Sequence, residues 1–195
     1  PPSPTNALGS AHVLYTTKLL TLRSQSGSPD DTILDGQGAN RCLAVRRPGT
    51  TTTPMVLDGL TFRNGYATNF GGGIVCNVLP ENNVWPLLMR NCVLSSNIVV
   101  SSFSSGTEGI AKGGGFYSYN NLSAFSFTAS NCLFVGNVAT NSASMQDGAG
   151  GAVWLRNSGA RTFVDCVFEG NGAGYAAGGI YGEQGGTTVS NSIFR

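Results

Sequence analysis

The chain has 195 residues, of which 41% are hydrophobic and only 11% are charged, and its formal net charge is +1. This balance provides no basic field that would attract nucleic acid or an anionic membrane. No apolar run is long enough to span a bilayer. The apolar content is sufficient for one long, narrow core, so we predict one domain.

We expect segment 1–18 to be an extended N-terminal arm followed by a first strand. The chain opens with Pro1-Pro2-Ser3-Pro4, without Met and without the hydrophobic run of a signal peptide. We interpret this start as a processed or trimmed N-terminus. The remaining segment, 19–195, carries the internal repeats, and we predict that it forms one β-helix without a cap at the C-terminus.

A short pattern recurs along this second segment. Its copies begin at Gly59-Leu60, Asn91-Cys92, Asn131-Cys132, Asp165-Cys166 and Asn191-Ser192. The interval is 40 residues from Cys92 to Cys132, 34 from Cys132 to Cys166, and 26 from Cys166 to Ser192. Such self-similarity predicts a solenoid in which each copy is one turn stacked on the next, with the longer intervals accommodating loops.

Each copy is predicted to contain a strand, a tight bend and a second strand. The position three residues before the Cys column is apolar throughout, although strict strand alternation would point it outward. The Asn, Asp or Gly just before the column tolerates a left-handed bend. Two columns after the bend share the core-facing side: Leu60, Cys92, Cys132, Cys166 and Ser192, and Phe62, Leu94, Phe134, Phe168 and Phe194.

These features predict an all-β fold, namely a right-handed single-stranded parallel β-helix of about six turns. Equivalent residues of successive turns would lie ~4.8 Å apart, so Cys would stack on Cys and Phe on Phe. The Asn residues at the bend would form an amide ladder. A propeller blade of four strands needs about 40–50 residues, which the 26-residue interval does not provide.

Two sets of motifs resemble known β-helix families. Phe134-Val135-Gly136-Asn137 and Phe168-Glu169-Gly170-Asn171, each followed by Gly-Gly-Ala-Val or Gly-Gly-Ile, resemble the FxxN and GGA(I/L/V) repeats of polymorphic outer membrane proteins and related bacterial β-helix proteins. The stretches 31–38 and 57–62 resemble the first turns of pectate-lyase-like proteins. The resemblance implies a bacterial cell-surface or extracellular location. The architecture that it implies carries adhesins, tailspikes, lyases and hydrolases alike.

The cysteines are predicted to be buried free thiols. Cys92, Cys132 and Cys166 occupy one inward column, and free Cys is among the most buried residue types. A disulfide between adjacent turns remains an alternative, because the expected Cα spacing lies within the range that a disulfide allows. We predict no metal site and no cofactor, since His12 is the only histidine and no C-x-x-C spacing occurs.

The acidic residues do not form the pattern of a polysaccharide-degrading enzyme. Such enzymes place two or three carboxylates, or an acid with a basic residue, on neighbouring turns, whereas here no two acids share a column in adjacent turns. Asp58 and Arg90 do share a column, and we interpret them as a surface ion pair. We therefore predict no catalytic residue and no enzymatic activity, with a polysaccharide lyase or glycoside hydrolase as the alternative.

An aromatic column follows the Gly-rich strings. Val75, Tyr117, Trp154 and Tyr181 share one position, and Ile74, Phe116, Val153 and Ile180 share the position before it. Only one of the two columns can face inward, and aliphatic side chains fit the interior more easily. We predict an outward binding strip of Tyr117, Trp154 and Tyr181 for a sugar face or a protein partner. The alternative is aromatic stacking that only covers the sheet.

The function predicted from these patterns is that of a noncatalytic extracellular structural or adhesive β-helix. Its last strand would leave Ile193 and Phe194 at the end of the core, and an uncapped solenoid end can pair with another chain. We expect other copies, stacked head to tail into a fibre, or further turns of a longer chain to cover this end. The alternative is a polysaccharide-binding or polysaccharide-degrading β-helix.

Overall fold

The computed structural model describes residues 11–46, 51–76, 85–101, 111–119, 125–142, 148–156 and 159–195. These residues form 24 β-strands and no helix, and every ladder between them is parallel. The all-β prediction is thus confirmed for this part of the chain. The predicted arm at residues 1–10 lies outside the described residues.

The strands are arranged in five sheets. Sheet A contains β1 (His12–Thr16), β4 (Arg41–Val45), β8 (Ile74–Cys76), β13 (Phe116–Tyr119), β18 (Val153–Arg156) and β22 (Ile180–Glu183). Sheet B contains β2 (Thr21–Arg23), β5 (Met55–Asp58), β9 (Leu87–Arg90), β14 (Phe127–Ser130), β19 (Arg161–Val164) and β23 (Thr187–Ser190). Sheet C contains β3 (Ile33–Asp35), β6 (Thr61–Arg63), β10 (Val93–Ser95), β15 (Leu133–Val135), β20 (Val167–Glu169) and β24 (Ile193–Phe194).

Two smaller sheets complete the arrangement. Sheet D contains β7 (Tyr66–Thr68), β11 (Ile98–Ser101), β16 (Val138–Asn141) and β21 (Gly172–Ala173), and sheet E contains β12 (Ala111–Lys112) and β17 (Gly148–Ala149). Along the chain, a strand of sheet A is followed by one of sheet B and one of sheet C before the chain returns to sheet A. This stacking of parallel strands is consistent with the predicted parallel β-helix. Because β1 pairs with β4, the first strand already belongs to the stack.

The predicted left-handed bend lies between sheets B and C. The φ angle is 64° at Gly59, 52° at Asn91, 50° at Asn131, 53° at Asp165 and 48° at Asn191. Most side chains avoid this region, whereas Gly, Asn and Asp tolerate it. The bend interrupts strand alternation, so that residues on both sides of it face the core.

The main core contains the two predicted columns. Cys92, Cys132 and Cys166 are buried, as are the four aromatic or leucine residues of the second column from Phe62 to Phe168. The ring centroids of Phe134 and Phe168 are 4.7 Å apart and their planes differ by 3°. All five cysteines are free and buried, as predicted.

The Gly-rich motif forms the corner before sheet A. A Cβ atom added at Gly114 would lie 2.5 Å from the carbonyl oxygen of Gly151 in the next turn and equally close to that of Val138. Backbones of neighbouring turns approach too closely here for any side chain. This contact explains why the Gly-Gly motif recurs once per repeat.

Candidate functional site

The aromatic column lies on the outer face of sheet A, as predicted. Phe116 and Val153 belong to the main core, whereas Tyr117 and Trp154 belong to a separate apolar cluster with Ala44 and Val75. We call this second group the outer cluster. The rings of Tyr117 and Trp154 are stacked, with centroids 4.7 Å apart and planes 13° apart.

The outer cluster is covered by other parts of the chain. Tyr117 is 2% exposed and Trp154 is 0% exposed, and Phe70 stacks on Tyr117 with a centroid distance of 4.8 Å. Burial also raises the pKa of the Tyr117 hydroxyl above its usual range. Neither ring therefore presents a free face in this structure, and Tyr181 alone of the predicted strip is partly exposed. The binding role of the strip stays a prediction.

The rim of the outer cluster carries charge. The Lys112 ammonium lies 4.9 Å from the ring centroid of Trp154, and the Arg156 guanidinium lies 5.1 Å from that of Tyr119. Both are cation–π distances. Arg156 Nε is also 3.6 Å from Glu183 Oε2, and both side chains are about one third exposed.

A buried amide ladder, which was not expected from the sequence, connects three turns. Asn97 Nδ2 donates to Asn137 Oδ1 and Asn137 Nδ2 donates to Asn171 Oδ1, both at 2.9 Å. Asn97 and Asn137 also donate to the backbone oxygens of Phe62 and Leu94, respectively, each at 2.9 Å. Asn137 and Asn171 are the last position of the FxxN motif, and Asn97 ends the equivalent segment Leu94-Ser95-Ser96-Asn97. The recurrence of that motif is the sequence feature from which the buried ladder could have been predicted.

A second left-handed bend positions the buried ladder. Ser96, Gly136 and Gly170 have φ angles of 53°, 61° and 59°, and each immediately precedes one of the three Asn residues. The bend separates sheet C from sheet D. It turns the next side chain inward, where the amide oxygens of the three Asn residues accept from backbone N–H groups of the preceding turn, those of Gly65, Asn97 and Asn137.

The ladder predicted at the first bend is also present, on the surface. Asn91 Nδ2 donates to Asp58 Oδ1 at 3.0 Å, and Asn131 Nδ2 donates to Asn91 Oδ1 at 2.9 Å. The chain thus has one exposed and one buried amide ladder. Both connect side chains of successive turns.

Ion pairs connect successive turns as well. The distances are 2.8 Å between Asp35 and Arg63, 3.0 Å between Asp58 and Arg90, 3.0 Å between Glu169 and Arg195, and 3.6 Å between Glu183 and Arg156. The ladder partners confirm that Asp35 faces Arg63, Asp58 faces Arg90, and Arg156 faces Glu183 in register. The surface ion pair predicted for Asp58 and Arg90 is therefore confirmed.

The carboxylate of Asp35 has further donors. The backbone N–H of Gln37 contributes most to the lowering of its pKa, followed by the side chains of Arg63 and Asn64. Gln37 N lies 2.9 Å from Asp35 Oδ1 and Arg63 Nε lies 2.8 Å from Asp35 Oδ2. This carboxylate therefore accepts hydrogen bonds both from its own turn and from the next turn.

Two buried arginines were not anticipated from the sequence. Arg41 donates through Nε to the Gly71 oxygen at 2.6 Å and through Nη2 to the Phe70 oxygen at 2.7 Å. Its Nη1 lies 3.1 Å from His12 Nδ1. Burial and the neighbouring Arg41 lower the pKa of His12 to about 4, while burial lowers that of Arg41 to about 10. Arg161 donates to the backbone oxygens of Glu183 and Gln184.

Burial holds the thiols of Cys42 and Cys76 in their neutral form, whereas contact with the Cys132 thiol lowers the pKa of Cys92 and of Cys166. Burial raises the pKa of Cys42 to about 12 and that of Cys76 above its usual range. Within the Cys column, contacts with the thiols of Cys166 and Cys92 raise the pKa of Cys132. These cysteines pack as small core residues.

Within the described ranges, no group of three or more His, Cys, Asp or Glu side chains could hold a metal ion. The same part of the chain contains no helix that could cross a membrane. Comparison with known protein families, curated proteins and solved structures finds no match to the chain. The resemblance to outer membrane protein repeats and pectate-lyase-like proteins therefore rests on the motifs alone.

Proposed function

We propose that the chain is a noncatalytic structural or adhesive module, folded as a right-handed single-stranded parallel β-helix of six turns. Sheets A, B and C each contain six strands in the same chain order, which supports one strand of each sheet per turn. Connections between parallel strands of one sheet are right-handed in about 98% of cases. That preference supports the proposed hand.

The observation that carries this proposal is that the polar side chains connect successive turns. Four of the seven carboxylates in the described residues are paired with an arginine of the neighbouring turn, and both amide ladders run along the stack. A general acid or base must be free to reach a substrate proton. Glu81, Glu108 and Asp147 lie outside the described residues.

We propose an extracellular or bacterial cell-surface location on the strength of the FxxN and GGA-like motifs. Adhesive and structural roles both require a stiff body that displays surface without chemical turnover. The proposed partners are other copies of the chain or further turns of β-helix. We propose no nucleic-acid partner and no membrane span, which the formal net charge of +1 and the small number of charged residues support.

A carbohydrate-binding role is the second candidate, and the rim of the outer cluster favours it. Tyr119 and Tyr181 are partly exposed there beside Arg156 and Glu183. Aromatic faces flanked by charged hydrogen-bonding groups suit sugar rings. A lyase or hydrolase acting on polysaccharides would extend this role to catalysis.

A product-release assay tests the proposal. The chain is incubated with a panel of neutral and acidic polysaccharides, and reducing ends and unsaturated products are measured. We expect no release above the buffer control. Release that disappears in Asp58→Ala would contradict the noncatalytic role. A second outcome is that the chain binds a polysaccharide without releasing product. Loss of that binding in Tyr181→Ala, with binding retained in Tyr175→Ala on an exposed loop, would favour the carbohydrate-binding candidate.

A further inference from the structure

We propose that the thiols of Cys92 and Cys132 form a binding site for one soft monovalent metal ion, Cu(I), held in linear coordination between two successive turns. Both cysteines belong to the buried Cys column of the core. The site goes beyond the proposed structural role, and neither proposal depends on the other. It requires no C-x-x-C spacing, because its two ligands come from different turns.

The two cysteines occupy the same place in successive turns. The residues that follow them, Val93 and Leu133, are ladder partners in sheet C, and the Leu133 N–H donates to the Cys92 oxygen at 2.9 Å. Neighbouring strands of a sheet lie ~4.8 Å apart. The two side chains therefore leave the backbone in parallel, one strand spacing apart.

The two thiols also have the same local geometry. Cys92 Sγ donates to the Arg90 oxygen at 3.2 Å. Cys132 Sγ donates to the Ser130 oxygen, again two residues earlier, at 3.2 Å. The same contact in both turns indicates the same side-chain rotamer, so the two sulfurs are separated by about one strand spacing, ~4.8 Å. The two thiol groups are near enough to interact with each other.

This separation suits a linear two-thiolate site better than a disulfide. Zinc–thiolate bonds are ~2.3 Å long, and two bonds of this length on opposite sides of one ion place the sulfurs ~4.6 Å apart, whereas a disulfide needs ~2.05 Å. Soft thiolate ligands select Cu(I), whose filled d shell permits two ligands on opposite sides. Zn²⁺ requires four tetrahedral ligands, and the described ranges provide no group of three or more metal-binding side chains.

Binding of the ion replaces the two thiol protons. One Cu(I) ion and two thiols give one Cys–S–Cu–S–Cys bridge, and two protons leave to solvent without oxidation or reduction. The Arg90 oxygen then loses the thiol as a donor but still accepts from Gly59 N at 3.0 Å. The Ser130 oxygen still accepts from Asn91 N at 3.1 Å. Neither carbonyl is left without a partner.

The backbone of the preceding turn supports the sulfurs. The thiols of Cys92 and Cys132 hydrogen-bond with the backbone of Leu60 and Cys92, respectively, the equivalent residues one turn earlier. Farther along the same column, the Cys166 N–H donates to Ser192 Oγ at 3.0 Å. A backbone N–H in this position can stabilise a thiolate, because hydrogen bonds to an ionised acceptor are the stronger ones.

A hollow in the surface gives the ion a path to the two thiols. It has a volume of about 310 Å³, and Cys92, Cys132 and Asp165 are among its lining residues. The carboxylate of Asp165 favours entry of a cation. Cys166, the third thiol of the column, does not line this hollow, so the ion is placed between the first two thiols.

Competition for Cu(I) tests the site. The reduced chain is titrated in the absence of oxygen against the Cu(I) chelator bicinchoninate, and the absorbance of the chelator complex reports the affinity. Serine variants of the column should fold, because Ser192 occupies the same column and its hydroxyl donates to the Ser190 oxygen at 2.8 Å. We expect Cys92→Ser and Cys132→Ser to lose at least about a hundredfold in affinity, the upper end of what loss of an outer-shell partner costs. The matched control, Cys166→Ser, should leave the affinity unchanged.

X-ray absorption at the copper edge provides a second measurement, and we expect two sulfur ligands per copper. A wild-type chain that takes no Cu(I) from the chelator would overturn the site, as would equal affinities of Cys132→Ser and the wild-type chain. Binding that is lost in Cys166→Ser and retained in Cys92→Ser would overturn the assignment to this pair. A chain that bound Zn²⁺ as tightly as Cu(I) would contradict linear coordination. The product-release assay is independent of all these outcomes.

Discussion

The buried amide ladder leads to a quantitative prediction for Asn137→Ala. Asn137 Oδ1 accepts from Asn97 N at 3.2 Å and from Asn97 Nδ2 at 2.9 Å. Asn137 Nδ2 donates to the Leu94 backbone oxygen and to Asn171 Oδ1. Truncation leaves buried groups on both neighbouring turns without this partner. An orphaned buried polar group costs about 1–3 kcal/mol, so the loss from two such groups is roughly 2–6 kcal/mol.

Chemical unfolding followed by circular dichroism measures this loss. The matched control is Asn131→Gly in the exposed ladder, where the side chain makes one cross-turn contact to Asn91 and Gly retains the left-handed backbone. We expect the control to lose less than about 1 kcal/mol, because water replaces the lost hydrogen bond at the surface. If Asn137→Ala destabilised the chain no more than Asn131→Gly, the buried ladder would not be the stabilising element that we describe.

Three further outcomes follow from the structure. Phe134→Ala should lower the free energy of unfolding by roughly 3–5 kcal/mol, as measured by denaturant titration, and Cys132→Ser should cost less; equal losses would argue against the stacked Phe column. Because the pKa of His12 falls from 6.5 to about 4 on folding, the free energy of unfolding should be highest above pH 6.5 and should decrease as the pH falls from 6.5 through about 4, by at most about 3 kcal/mol. A His12→Gln chain with the same dependence of stability on pH would refute this. Asp58→Asn should cost less than about 1 kcal/mol, and a larger loss in thermal unfolding would show that the ion pair does more than connect two turns.

The repeats were sufficient to predict the bend between sheets B and C and the core columns, but not the second bend at Ser96, Gly136 and Gly170. Asn91 and Asn131 could be placed in a left-handed bend because an apolar residue on each side of them had to face inward. Phe134 could then be placed in the core by alternation from the bend. These inferences depend only on neighbours in the sequence, and the structure confirms them.

The covering of the outer cluster could not be predicted in the same way. Phe70 reaches Tyr117 from a different part of the chain, and no periodic signal in the sequence connects the two. The same holds for Arg41, whose partners are backbone oxygens at positions 70 and 71. Contacts between irregular segments and strands depend on the packing of whole turns, whereas the columns depend on the repeat alone.

A crystal structure of the chain tests the proposed β-helix most directly. We expect one right-handed coil in which each turn contributes one strand to each of sheets A, B and C. With six strands in each main sheet and ~4.8 Å per turn, the six turns should stack to about 29 Å. A left-handed coil, or main sheets whose strands pair antiparallel, would contradict the account.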